Sequence, residues 1–132
     1  MATVHSSSAL DHVAAGRLTA AEVEAGYIIA TGRTARQIVV TDVTLRAIGG
    51  NAATADSIDL QDSTTGTKVI VALVAALTKD TVVKPDTADV TSTNLGVALG
   101  TGEGLKLIAA GAGVLGTCTH VDYVVKYVRK NG

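Results

Sequence analysis

The sequence predicts an all-β protein, an antiparallel β-sandwich or jelly roll with an N-terminal arm. Three observations predict it. Apolar residues alternate with polar ones along several segments after Gly26, most clearly in "HVDYVVKYVR" at 120–129, which is the side-chain period of a strand with one buried face. These segments are short and are separated by Gly, Asn, Asp and Thr clusters, the residues that turn a chain back on itself. The longest apolar run, "VIVALVAAL" at 69–77, falls well short of the roughly 20 residues that a membrane-crossing helix needs. It has to be covered by protein.

Residues 1–25 form the expected arm, and 26–132 the β domain. "SSALDHVAAG" and "RLTAAEVEAG" are Ala-rich. Each opens with a pair at the spacing of a capping box, Ser8 with Asp11 and Thr19 with Glu22, and Gly16 and Gly26 suit the chain exits. Two short helical turns that dock on something else are the expectation. Deleting residues 1–20 should then leave the β domain folded.

From Gly26 the strands follow in order. "QIVVTDVTLRAI" places Val39, Thr41, Val43, Leu45 and Ala47 on one face, with Asp42, Thr44 and Arg46 opposite. "DSIDLQD" alternates on Ile58 and Leu60. The run at 69–77 opens with Val and Ile and is followed by "DTVVKPD", which favours a strand, while Ala72, Ala75 and Ala76 keep a short helix open. Either form needs cover on all sides. "NLGVAL" (Leu95, Val97, Leu99) and "GLKLIAA" (Leu105, Leu107, Ala109) flank "GTGEG", a connection able to close a hairpin. The last strand sets Val121, Tyr123, Val125 and Tyr127 against His120, Asp122 and Lys126.

The hydrophobic fraction is 47%, yet the chain has no Phe or Trp and only three Tyr. A core of Ala, Val, Leu and Ile buries less area per side chain, which points to an oligomer that covers what one copy leaves exposed. With 11 basic against 12 acidic residues, the net charge is −1 and there is no cationic stripe. That argues against nucleic acid as a partner, and the scarcity of aromatic platforms argues the same way. The one cysteine, Cys118, has no partner for an internal disulfide. The start "MATVHSSSAL" has no basic patch followed by an apolar stretch, so no secretory signal is expected.

Four groups of residues invite chemistry. "GAGVLG" at 111–116 matches G-x-G-x-x-G, but the β-branched "TCTHVDYVVKYV" follows where a dinucleotide fold needs a helix, so a strand-to-strand loop is expected and no cofactor. In "CTHVD", Cys118, His120 and Asp122 share one face if the segment is a strand. They offer three metal-type donors, which a symmetry axis would have to complete. His5 and His12 lie near Ser6, Ser7, Ser8 and Asp11, but a catalytic triad needs a rigid frame that the arm does not offer. Asp56, Asp59 and Asp62 are expected at strand edges and turns. No catalytic, cofactor or metal residue is assigned, and no enzyme is expected.

The segments "VTDVTLRAIGGNAATADSIDLQD" and "NLGVALGTGEGLKLIAAGAGVLGTCTHVDYVVKYV" resemble small virion structural proteins of tailed bacteriophages, in particular their β-sandwich capsid decoration, or cement, proteins. The resemblance covers residues 26–130 and lies in small-residue strands, Gly-Thr turns and a closing strand ending in Tyr. It implies a homotrimer on the outer capsid surface, assembled in the host cytoplasm, with the major capsid protein as partner, an anchoring arm and no catalytic residues. The alternative is a head-fibre or tail module that binds a host-surface receptor or glycan; an exposed Tyr cluster would favour it.

Overall fold

A computed structural model describes residues 11–131. The chain is all-β and antiparallel, as expected. Its elements are β1 (Asp11–Thr19), α1 (Ala20–Ala25), β2 (Tyr27–Ala30), β3 (Arg36–Ile48), β4 (Ser57–Asp62), β5 (Lys68–Leu73), a 3-10 turn at Val74–Ala76, β6 (Val82–Val83), β7 (Val90–Ser92), β8 (Leu105–Ala110) and β9 (His120–Asn131). They build two sheets, one in the order β1-β9-β3-β6 and one in the order β2-β8-β4-β5-β7. Inward-facing Ile38, Val43, Leu45, Ile58, Leu60, Leu105, Leu107, Val121 and Val125 are each fully buried in a core contributed by both sheets. Each large aliphatic side chain buried there contributes about 1.5–3 kcal/mol, which is how a core without Phe or Trp suffices.

The closing strand has the expected phase: Val121, Tyr123, Val125 and Tyr127 are all buried. Its two long neighbours explain why. β9 pairs with β1 along nine residues and with β3 along twelve, so it is an inner strand of its sheet, covered along both edges.

β1 corrects the reading of the arm. Residues 11–19 are a sheet strand rather than the helical turn read from Ser8 and Asp11, and residues 1–10 lie outside the described residues. Alanine is the best helix former, but helix propensity differs among ordinary residues by less than about 1 kcal/mol each, and nine cross-strand pairings outweigh that preference. Leu18 and, just beyond, Val23 enter the core. The second half of the arm follows expectation. The Thr19 side chain accepts from the Glu22 N–H and the Glu22 carboxylate accepts from the Thr19 N–H, while Gly26 ends α1 at φ 90° with its N–H on the Val23 carbonyl.

The phase of β3 is right after residue 42 and wrong before it. The register steps from Val40 opposite Tyr127 to Asp42 opposite Lys126, so Thr41 is an extra residue in a bulge and the side chains before it change face. Ile38 and Val40 are therefore buried, not Val39 and Thr41.

The apolar run divides. It is a strand through Leu73 and a 3-10 turn at Val74–Ala76, and it is not covered on all sides, since Leu73 is 43% exposed. "NLGVAL" is not a hairpin strand. Gly96 takes φ 78° and the segment instead lies along the free edge of β3, where the N–H groups of Gly96, Leu99 and Gly102 donate to the carbonyls of Val40, Ile38 and Arg36. An edge that would otherwise offer open backbone groups is thereby closed.

β4 is buried on both faces. Asp59 therefore sits mid-strand, not at an edge, with the Lys68 ammonium 3.0 Å away and the Ser57 hydroxyl donating at 2.6 Å. Asp62 ends the strand. Burial would push its carboxyl up, but donations from Thr65, Gly66 and Thr67 outweigh this and hold it below the ordinary range.

Candidate functional site

Cross-strand pairs share a face, so the registers of β1, β3, β6 and β9 define the outer surface of the four-stranded sheet row by row. One row holds Arg17, Asp122, Arg46 and Val82; the next Ala15, Val124 and Thr44; the next Val13, Lys126 and Asp42. Val13 is 59% exposed, Val82 50% and Val124 38%. A shallow groove of 220 Å³ lies over β3, β6 and β9, lined in part by Thr44, Val82, Asp122 and Val124.

At its centre Asp122 is held from both sides. Arg17 donates from Nε at 2.6 Å and from Nη2 at 3.0 Å. Arg46 donates from Nη2 at 3.2 Å. The hydrogen bond from Arg17 is the main reason the Asp122 carboxyl lies below its ordinary range, and the same bond pushes the Arg17 guanidinium up. Three strands are thus fixed by one carboxylate. The result is a surface on which Arg17, Asp122 and Arg46 are tied together beside exposed valines, the mixture of apolar area and charge found at contacts between protein surfaces.

The structure separates the metal-type donors. Cys118 lies before β9, buried in the core, and its thiol donates to the His120 carbonyl at 3.0 Å; burial pushes that thiol up. His120 and Asp122 stand on the outer face. Among the described residues no group of three or more His, Cys, Asp or Glu could hold a metal ion. The Ser-His-Asp candidates are also apart. His5 and Ser6 to Ser8 lie outside the described residues, Asp11 faces outward, and His12 faces inward, stacked on Tyr127 with ring centroids 5.2 Å apart. "GAGVLG" is a loop between β8 and β9, with positive φ at Gly111, Gly113 and Gly116.

The valines of the outer face were missed in the sequence, although a signal for them exists. Val124 falls in phase with Asp122 and Lys126, where alternation calls for a polar residue. Compared with protein-family models and with curated proteins, the chain finds no match.

Proposed function

We propose that this protein is a non-enzymatic virion structural protein that decorates and stabilises a phage capsid. It acts as a homo-oligomer, a trimer by the family resemblance, bound to the major capsid protein on the outer surface of particles assembled in the host cytoplasm. The observation that carries the reading is the outer face of the four-stranded sheet, where Val13, Val82 and Val124 stand exposed around charges already paired with one another. Burying the row at Asp122 removes apolar area with its carboxylate already paired, while Lys126, exposed in the row of Val13 and in no ion pair among the described residues, is left to meet an acceptor on the partner. Bridging neighbouring capsid subunits through this face adds contact area that opposes their separation.

The winding supports the same class. With β7 set aside as an added edge strand, the sheet orders β1-β9-β3-β6 and β2-β8-β4-β5 alternate in the manner of a jelly roll, an architecture used by viral capsid proteins and by lectins. This is an argument by analogy of fold. The receptor-binding alternative lacks its distinguishing feature, because Tyr123 and Tyr127 are buried and Tyr27 alone is exposed.

Purified protein mixed with undecorated capsids and sedimented tests the proposal. Saturable occupancy, with capsids that withstand more heat when decorated, is the expected result. Absence of binding to any capsid would move the weight to the receptor-binding reading.

A further inference from the structure

At one end of the sandwich, four cationic or potentially cationic side chains converge on a pocket of 120 Å³: His12, Arg33, Arg36 and Arg129. They come from distant parts of the chain. His12 lies on β1, Arg129 on β9 and Arg36 at the start of β3, and Arg33 is brought beside Arg36 by a turn in which the Arg36 N–H donates to the Arg33 carbonyl and Ala35 adopts φ 60°.

Charge is not balanced there. Among the described residues the ion pairs involve Arg17, Arg46 and Lys68, and none reaches Arg33, Arg36 or Arg129. Arg129 is only 7% exposed. Its Nη2 donates to the Thr31 carbonyl at 2.7 Å, and its guanidinium carbon lies 5.5 Å from the centroid of the Tyr127 ring. Its Nη1 is buried with no hydrogen-bond partner among the described residues. A buried guanidinium N–H without an acceptor is costly, and the cost is met when an acceptor, best an anion, is supplied.

We infer that this pocket is an oxyanion-binding site, for a phosphate or carboxylate group held by Arg36 and Arg129, with Arg33 and His12 at its mouth. The volume suits a small group of a few heavy atoms rather than a nucleotide. This inference stands apart from the capsid proposal, since no residue lines both this pocket and the groove of the valine face.

The test uses the intact chain with inorganic phosphate and with acetate as probes, each at ionic strength matched by sodium chloride. Isothermal titration and thermal unfolding are the readouts. Saturable binding and a raised melting temperature in phosphate, in acetate or in both are expected; a response to phosphate alone assigns a phosphoryl-type ligand, and a response to acetate a carboxylate. The double variant Arg33→Gln, Arg36→Gln alters one exposed and one half-buried side chain and should fold, while weakening binding about tenfold or more. Titrations indistinguishable from chloride would overturn the inference. So would binding that the double variant leaves unchanged.

Discussion

Arg17 and Asp122 face each other across β1 and β9 and are joined by two hydrogen bonds, at 2.6 and 3.0 Å, so the edge strand is tied to its inner neighbour by charge as well as by backbone. Asp122 is held below its ordinary range chiefly by this contact. A carboxyl lowered in the fold contributes stability in full above its unfolded value of about 3.9, and loses it as pH falls through the lowered folded value. Acid unfolding should therefore begin with β1. Hydrogen exchange at acid pH should show β1 opening before β3, and Asp122→Asn should shift that opening toward neutral pH. Uniform loss of protection across the sheet would contradict this.

Truncation gives a second prediction, and it reverses the expectation drawn from the sequence. Removing residues 1–20 takes away β1 with its pairing to β9 and exposes one side of Tyr123, Val125 and Tyr127. The shortened chain should be aggregated or unfolded by circular dichroism and sedimentation. A soluble form with a cooperative melt near that of the full chain would show that β1 is dispensable.

Val125 is fully buried. Val125→Asp places a charge without a partner in the core, at a cost of several kcal/mol against a total of roughly 5–15. Failure to fold, read from insolubility or a lost thermal transition, is the expected outcome.

The capping box makes a smaller claim. Thr19→Ala removes the acceptor for the Glu22 N–H and should cost about 1 kcal/mol. Urea unfolding measures it directly. Leu73→Lys, at a position 43% exposed, should change stability by no more than about 0.5 kcal/mol in the same assay.

What the sequence revealed, and what it concealed, divides along physical lines. β8 and β9 were legible because each has one face in the core and one outside, so alternation records their phase. β4 records half of it: Ile58 and Leu60 mark the inner face, while Ser57, Asp59 and Gln61 look solvent-exposed and are buried among their neighbours. β1 was hidden because "DHVAAGRLT" is rich in small residues whose local preference is weak, and its conformation is set by β9, more than 100 residues away. The bulge at Thr41 leaves no mark in composition. Neither the Arg17, Asp122 and Arg46 cluster nor the pocket around Arg129 could be read from spacing, since each assembles only when distant strands pair. The Thr19 and Glu22 pair was legible because both partners lie within one turn of helix.

In the proposed function, the exposed valine face of the four-stranded sheet is where this protein docks on another. The most direct measurement is competition. Equal amounts of wild-type protein and the variant Val13→Lys, Val124→Lys, first shown to melt alike, are mixed with undecorated capsids at limiting sites and sedimented. The two altered positions are exposed, so the fold should tolerate the lysines while docking does not. The expected result is a pellet enriched in wild-type protein by about tenfold or more, as loss of an apolar contact centre implies. Equal representation of the two forms in the pellet would contradict it.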